Sequence, residues 1–165
     1  MQLARFWRHA AMSPFRARRS FPAATLDALQ SRIAGAEKRH GGEIRLVIEA
    51  ELTTAQLWRE MTSRERARQV FAEQGVWNTA NNNGVLIYLL LADRRVEVVA
   101  DRGIDARVEP AQWEAVCRMM ESHFREGRFD DGAAAGIDAV SDLLASHFPA
   151  TGERPNELED RPSLI

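Results

Sequence analysis

From Thr25 onward the chain switches between two hydrophobic periods. Leu26, Leu29, Ile33 and Ala36 recur at helical spacing with polar residues between them, until Gly41-Gly42 breaks the pattern. "EIRLVIEA", Glu43 to Ala50, then changes to strand spacing, with Ile44, Leu46 and Ile48 on one face and Glu43, Arg45 and Val47 on the other. Thr53 with Gln56, and Thr62 with Glu65, match the capping-box pattern. They predict a short helix from Thr54 and a longer one through Phe71 that ends at Gly75.

"WNTANNNGVLIYLLL" follows, a polar stretch directly in front of an unbroken apolar run. Val85 to Leu91 is short and rich in strand formers, which predicts a strand buried on both faces. "RRVEVVAD" supplies a second strand after a tight connection at Ala92 to Arg94, so the two form an antiparallel hairpin that ends at Asp101-Arg102-Gly103. Pro110 suits the first turn of a helix, and Trp113, Val116, Cys117, Met120 and Phe124 recur on one face up to Gly127. A last helix is expected from Asp131 as cap, with small residues at its front, then Ile137, Val140, Leu144 and Phe148 as its stripe and Pro149 as its stop.

The order of elements predicts a small mixed sheet covered by helices on both faces, a three-layer α/β/α sandwich. Residues 22–149 form the folded domain in this reading. Residues 1–21 are a basic arm and 150–165 a polar, proline-containing tail expected to be disordered, although further strands have room to hide in either.

Composition narrows the function classes. A chain of 165 residues with 45% apolar content is long enough for one domain with a substantial core. The formal net charge of -2 and the lack of a compact basic tract with interleaved aromatics argue against nucleic acid as partner. Cys117 is the single cysteine, and His9, His40, His123 and His147 are scattered, so no zinc-ligand spacing occurs. The apolar run after the asparagines is far shorter than the roughly 20 residues that cross a bilayer. No apolar stretch of roughly 7–15 residues follows the basic start, as a signal peptide requires. A cytoplasmic location is therefore expected, with the inner membrane face as a peripheral alternative. Arg5, Arg8, Arg16, Arg18 and Arg19 precede the first acid, Asp27. Two readings of this arm stand open: incidental arginines on a disordered terminus, or contact with anionic lipid, worth about 1 kcal/mol per exposed cation.

The succession "GEIRLVIEAEL", "ARQVFAEQGVWNTANNNGVLIYLLLADRRVEVVADRGI", "WEAVCRMMESHFREGRFDDGAAAGI" and "LLASHFP" resembles the TPM domain family across roughly residues 22 to 149. The resemblance implies a Rossmann-like α/β/α sandwich. It also implies a choice of roles, because members are described as calcium binders, as weak acid phosphatases, or as assembly and regulatory factors at membranes. The chain is similar to a short bacterial subtype. The glycine-rich segment that follows the hairpin in many relatives stands here as "ADRGID", which keeps only Gly103 and adds acids.

If the hairpin runs as predicted, Asn83 at the start of the buried strand and Asp101 at the end of its neighbour meet. Hard cations take six to eight oxygens from carboxylates, amides, backbone carbonyls and water, and Asn81, Asn82, Asn83, Asp101, Asp105 and Glu109 offer such oxygens. Calcium is the expected cofactor of this corner, with Asn83, Asp101, Asp105 and Glu109 as its metal ligands. The same residue types are also those that tight turns require, so a purely structural turn is the competing reading. No nucleophile motif, P-loop or dinucleotide fingerprint is present. The expected function is non-enzymatic: an interaction or regulatory protein acting on an unidentified partner, one associated with membranes. The alternative is a weak metal-assisted phosphomonoesterase.

Overall fold

The computed structural model describes residues 3–152 and 154–165. In chain order the elements are α1 (Leu3–Ala11), α2 (Pro14–Ser20), α3 (Ala23–Ala36), β1 (Glu43–Glu49), α4 (Thr54–Trp58), α5 (Ser63–Glu73), β2 (Gly84–Leu90), β3 (Arg95–Ala100), α6 (Arg102–Asp105), α7 (Pro110–Arg125), α8 (Phe129–His147) and β4 (Ser163–Leu164). The sheet order is β3-β2-β1-β4. β1 runs parallel to β2, with Ile44 opposite Val85, and parallel to β4, with Val47 opposite Ser163. β2 and β3 form the expected antiparallel hairpin, with Val85 opposite Ala100.

Strand alternation then builds the layers. Ile44, Leu46, Ile48, Val85, Ile87, Leu89, Val96 and Val98 face one cluster, where α3 adds Leu29 and Ile33, α7 adds Trp113, Met120 and Phe124, and α8 adds Ile137, Val140 and Leu144. Val47, Leu86, Tyr88 and Leu90 face the other, covered by Leu57 of α4, by Ala67 and Val70 of α5 and by Val76. The molecule is thus an α/β/α sandwich. Each large aliphatic side chain buried in this way contributes about 1.5–3 kcal/mol. Both predicted capping boxes form: Gln56 and Glu65 accept the N–H of Thr53 and Thr62, each at 2.8 Å.

The last helix starts at Phe129 rather than Asp131 because Phe129 packs against Phe124 and Phe21, with ring centroids 5.4 and 6.2 Å away. Its small residues act as expected: a Cβ at Gly136 would lie 2.2 Å from Met120 Sδ, so the glycine leaves room for the Met120 side chain of α7 against α8.

Two stretches differ from the sequence reading. The amino-terminal arm is ordered as α1 and α2, and buries His9, Ala17 and Phe21. The polar tail likewise folds back: Leu158 is buried, and β4 extends the sheet beside β1. Met1, Gln2 and Glu153 of these segments lie outside the described residues. With both faces of the sheet covered as expected, the polar face of β1 is buried along its whole length. Arg45 donates to the carbonyls of Glu159 and Arg161 at 2.8 and 2.6 Å and to Ser163 Oγ, so the returning tail satisfies the buried guanidinium. No described helix is long and apolar enough to cross a membrane.

Candidate functional site at the amino end of the sheet

β1 and β2 start, and β3 ends, at the same end of the sheet. The asparagine run enters this end as a turn. Asn82 N–H donates to Thr79 O at 3.2 Å, Asn83 N–H donates to Thr79 Oγ1 at 3.0 Å, and Asn82 sits in the left-handed region at φ 50. Asparagine tolerates that conformation better than most residues. Asn83 itself is buried. Its carbonyl accepts Glu43 N–H at 3.0 Å and its side-chain amide donates to Gly41 O at 2.6 Å, which ties the entry of β2 to the entry of β1.

The end of β3 closes on the same turn. Asp101 N–H donates to Gly84 O at 2.8 Å, and one carboxylate oxygen accepts Arg102 N–H at 2.7 Å, so Asp101 caps α6. Arg102 donates through Nε and Nη2 to Asn82 Oδ1 at 3.2 and 3.1 Å. Gly103 N–H donates to Asn82 O at 3.0 Å, and a Cβ there would stand 2.5 Å from that oxygen and 2.9 Å from Asn81 O. The single glycine of "ADRGID" therefore lets the helix backbone lie directly on the asparagine run.

Two oxygens of this corner are left over. Asn83 Oδ1 and Asp101 Oδ2 are both buried and accept no hydrogen bond from the described residues. Such a group costs about 1–3 kcal/mol, and more when charged, unless something satisfies it. The other two predicted ligands stand elsewhere. Asp105 lines a cavity of about 520 Å³ with Arg64, Trp113, Cys117 and Glu121, and Glu109 precedes α7, its N–H donating to Gln112 Oε1 at 3.1 Å. Among the described residues, no three His, Cys, Asp or Glu side chains converge as metal ligands. The two unpartnered atoms are one amide and one carboxylate oxygen, hard donors of the kind that calcium takes.

Sequence reasoning missed a second group at this end. Arg154 donates to the carbonyls of Gly41, His40 and Gly42 at 2.8, 3.1 and 3.1 Å and lies 3.3 Å from the buried carboxylate of Glu43. Gly41 O thus accepts from both Asn83 and Arg154. Glu37 accepts Ile44 N–H at 2.6 Å, and together Glu37, Glu43, Arg154 and Asp160 line a cavity of about 840 Å³. Burial, reinforced by the nearby Glu43 and Asp160 charges, pushes the Glu37 carboxyl up to about 8 against the pull of the Ile44 hydrogen bond. Burial pushes the His40 imidazole down to about 4, with Arg154 and Arg39 adding to the effect. The available signal was weak: Glu43 at a strand start, and an arginine in a segment whose composition reads as tail.

Packing accounts for Trp113 and Cys117. Trp113 belongs to the core, as its stripe predicted. Burial pushes the Cys117 thiol up to about 12, which leaves it un-ionised and a poor nucleophile. His123 and His147 are half-buried, and Trp77, beside the asparagine run, is exposed.

The model of the TPM domain matches residues 18–143. The chain belongs to the TPM domain family. Solved structures agree with this TPM fold. The NMR structure of the BA42 protein from the psychrophilic bacterium Bizionia argentinensis superposes with a TM-score of 0.77 at 29% identity, covering 88% of this chain and 95% of that one. The N-terminal domain of a protein from P. gingivalis is similar in fold alone, with a TM-score of 0.58 at 22% identity, covering 76% of this chain and 77% of that one. Among curated proteins, none matches this TPM chain in sequence.

Proposed function

We propose that this TPM protein works by binding: it holds a calcium ion at the corner between Asn83 and Asp101 and presents that corner to a protein partner. The reading rests on one observation, the two buried oxygens, Asn83 Oδ1 and Asp101 Oδ2, that meet no donor at one end of the sheet. Main-chain oxygens of the asparagine run, with solvent, would complete the six to eight ligands that calcium takes. The ion would supply the positive charge that the Asp101 carboxylate lacks on its buried side. The alternative, metal-assisted phosphomonoester hydrolysis, would draw on the same corner; Cys117 is no nucleophile for it, because burial pushes that thiol up to about 12.

A calcium titration followed by thermal melting tests the reading. At 100 times its dissociation constant the ion stabilises the fold by about 2.7 kcal/mol, and Asp101→Asn and Asn83→Ala should each abolish that gain. An unchanged melting temperature at millimolar calcium refutes the site. Phosphatase turnover by purified protein that is lost in Asp101→Ala would replace the binding reading with the hydrolytic one.

A further inference from the structure

A surface helix ordinarily turns its apolar stripe inward. α1 is built the other way round. Its inward side carries Arg5 and His9, which converge on Asp93: Arg5 Nε and Arg8 Nη2 donate to the carboxylate at 2.8 and 3.0 Å, and His9 Nε2 lies 3.2 Å from it. His9 Nδ1 accepts Leu52 N–H at 2.9 Å, which places the imidazole proton on Nε2, facing Asp93. The outward side is apolar. Leu3 and Trp7 are 68% and 66% exposed, Ala10 and Ala11 continue their stripe, and Phe15 at the start of α2 is 75% exposed.

The same two helices carry cations: Arg18 and Arg19 are exposed, Arg16 is exposed with Nη1 donating to Ala11 O at 2.9 Å, and Arg8 is paired with Asp93; no acid precedes Asp27, although the whole chain carries a net charge of -2. Phe15, Arg16, Arg19 and Ser20 also line a cavity of about 760 Å³, in which Asp130 is the one acidic wall. Outward aromatics flanked by arginines, with hydroxyl and guanidinium donors beside them, match an interface where acyl chains meet phosphate headgroups.

We propose that the outward face of α1 and α2 is a docking surface for an anionic lipid bilayer, with Leu3, Trp7 and Phe15 entering the headgroup boundary and Arg16, Arg18 and Arg19 pairing with lipid phosphate. Asp93 holds α1 to the domain, so the face is presented without refolding. This surface is independent of the corner at Asn83 and Asp101, and the test is run in EDTA to keep the two apart.

Flotation of the full chain with vesicles of phosphatidylcholine alone, or with 30% phosphatidylserine, measures the partition. Binding to the anionic vesicles only is expected, falling at least tenfold in 0.5 M salt, in Arg16→Glu/Arg19→Glu and in Trp7→Ser/Phe15→Ser. All four side chains are exposed, so both variants should melt as the wild type does, and a melting temperature that falls would be met with the milder Trp7→Gln. Equal partition of wild type and variants, or none onto anionic vesicles, overturns the proposal. A dimer that Trp7→Ser dissociates, in a protein that ignores vesicles, would assign the face to a second copy instead.

Discussion

The carboxylate of Glu121 accepts the backbone N–H of Val96 at 3.2 Å, reaching from α7 to the free edge of β3. β3 is the outer strand, and an open edge is a template for pairing with another chain. Arg64 covers the same edge from α5 by donating to Val98 O at 2.5 Å. Side chains from two helices thus take the place of the missing strand. Glu121→Ala should cost about 1–3 kcal/mol by leaving the buried Val96 N–H without an acceptor. Combined with Arg64→Ala, it should also cause concentration-dependent association in sedimentation velocity. A double variant that stays monomeric and melts unchanged would show that other groups protect the edge.

A buried polar network secures the opposite face of the sheet. Arg66 Nε lies 2.9 and 3.1 Å from the two oxygens of Glu49, and Tyr88 donates its hydroxyl to Glu49 at 2.5 Å. Removing one partner of a buried pair strands the other charge, whereas replacing both with apolar residues is far better tolerated. Arg66→Met alone should destabilise by about 3–5 kcal/mol, and Glu49→Met/Arg66→Met should recover much of that loss. Chemical denaturation of both variants and wild type gives the difference. Equal losses in the single and double variants would show that packing, rather than the stranded Glu49 charge, sets the cost.

What the sequence revealed, and what it hid, follows from which interactions leave a periodic trace. Ile44, Leu46 and Ile48 repeat every second residue because one face of β1 is apolar, and Trp113, Met120 and Phe124 repeat helically because α7 lies on that face. Those elements were legible. α1 was hidden although Leu3, Phe6, Trp7, Ala10 and Ala11 recur at helical spacing, because its basic composition reads as an arm and the contacts that hold it down, Arg5 and His9 on Asp93, are polar. The tail was hidden for the same reason, since Arg45 binds carbonyls of Glu159 and Arg161, and a carbonyl carries no side-chain signature. At the candidate site, hairpin logic was enough to bring Asn83 and Asp101 to one end. The contact of Glu43 with Arg154 depends on the tail returning across the sheet, which local spacing does not encode.

The amino end should also shape the response to pH. The folded state keeps a proton on Glu37 up to about 8, whereas its ordinary value is 4.5, so stability falls as pH rises through that window. His40 acts in the opposite range. It titrates near about 4 when folded against an ordinary 6.5, so its contribution is lost as pH falls from about 6.5 toward about 4. Glu37→Gln keeps an acceptor for Ile44 N–H and removes the titration. The variant should gain on the wild type progressively between about 4.5 and 8 in thermal melts, with the acid limb unchanged. A difference that does not vary with pH would rule out Glu37 as the source.

Asp93 decides whether α1 stays on the domain. Burial works against its charge, but His9, Arg8 and Arg5 around it hold its carboxyl well below the usual carboxylate range. With the folded value depressed, the stabilisation is present above the ordinary value of 3.8 and is lost as pH falls through the folded one. Asp93→Asn removes the charge at neutral pH and leaves Arg5 and the buried His9 without their anion. Because few apolar side chains of α1 face inward, with Phe6 the one packed on the second core cluster, this helix should open before the sheet does. Hydrogen exchange should show lost protection across Phe6 to Ala11, with trypsin gaining access at Arg5 and Arg8, while amides of Leu86 to Leu90 stay protected. If exchange in α1 were the same in Asp93→Asn and wild type, Phe6 packing rather than the ion cluster would be what holds the helix.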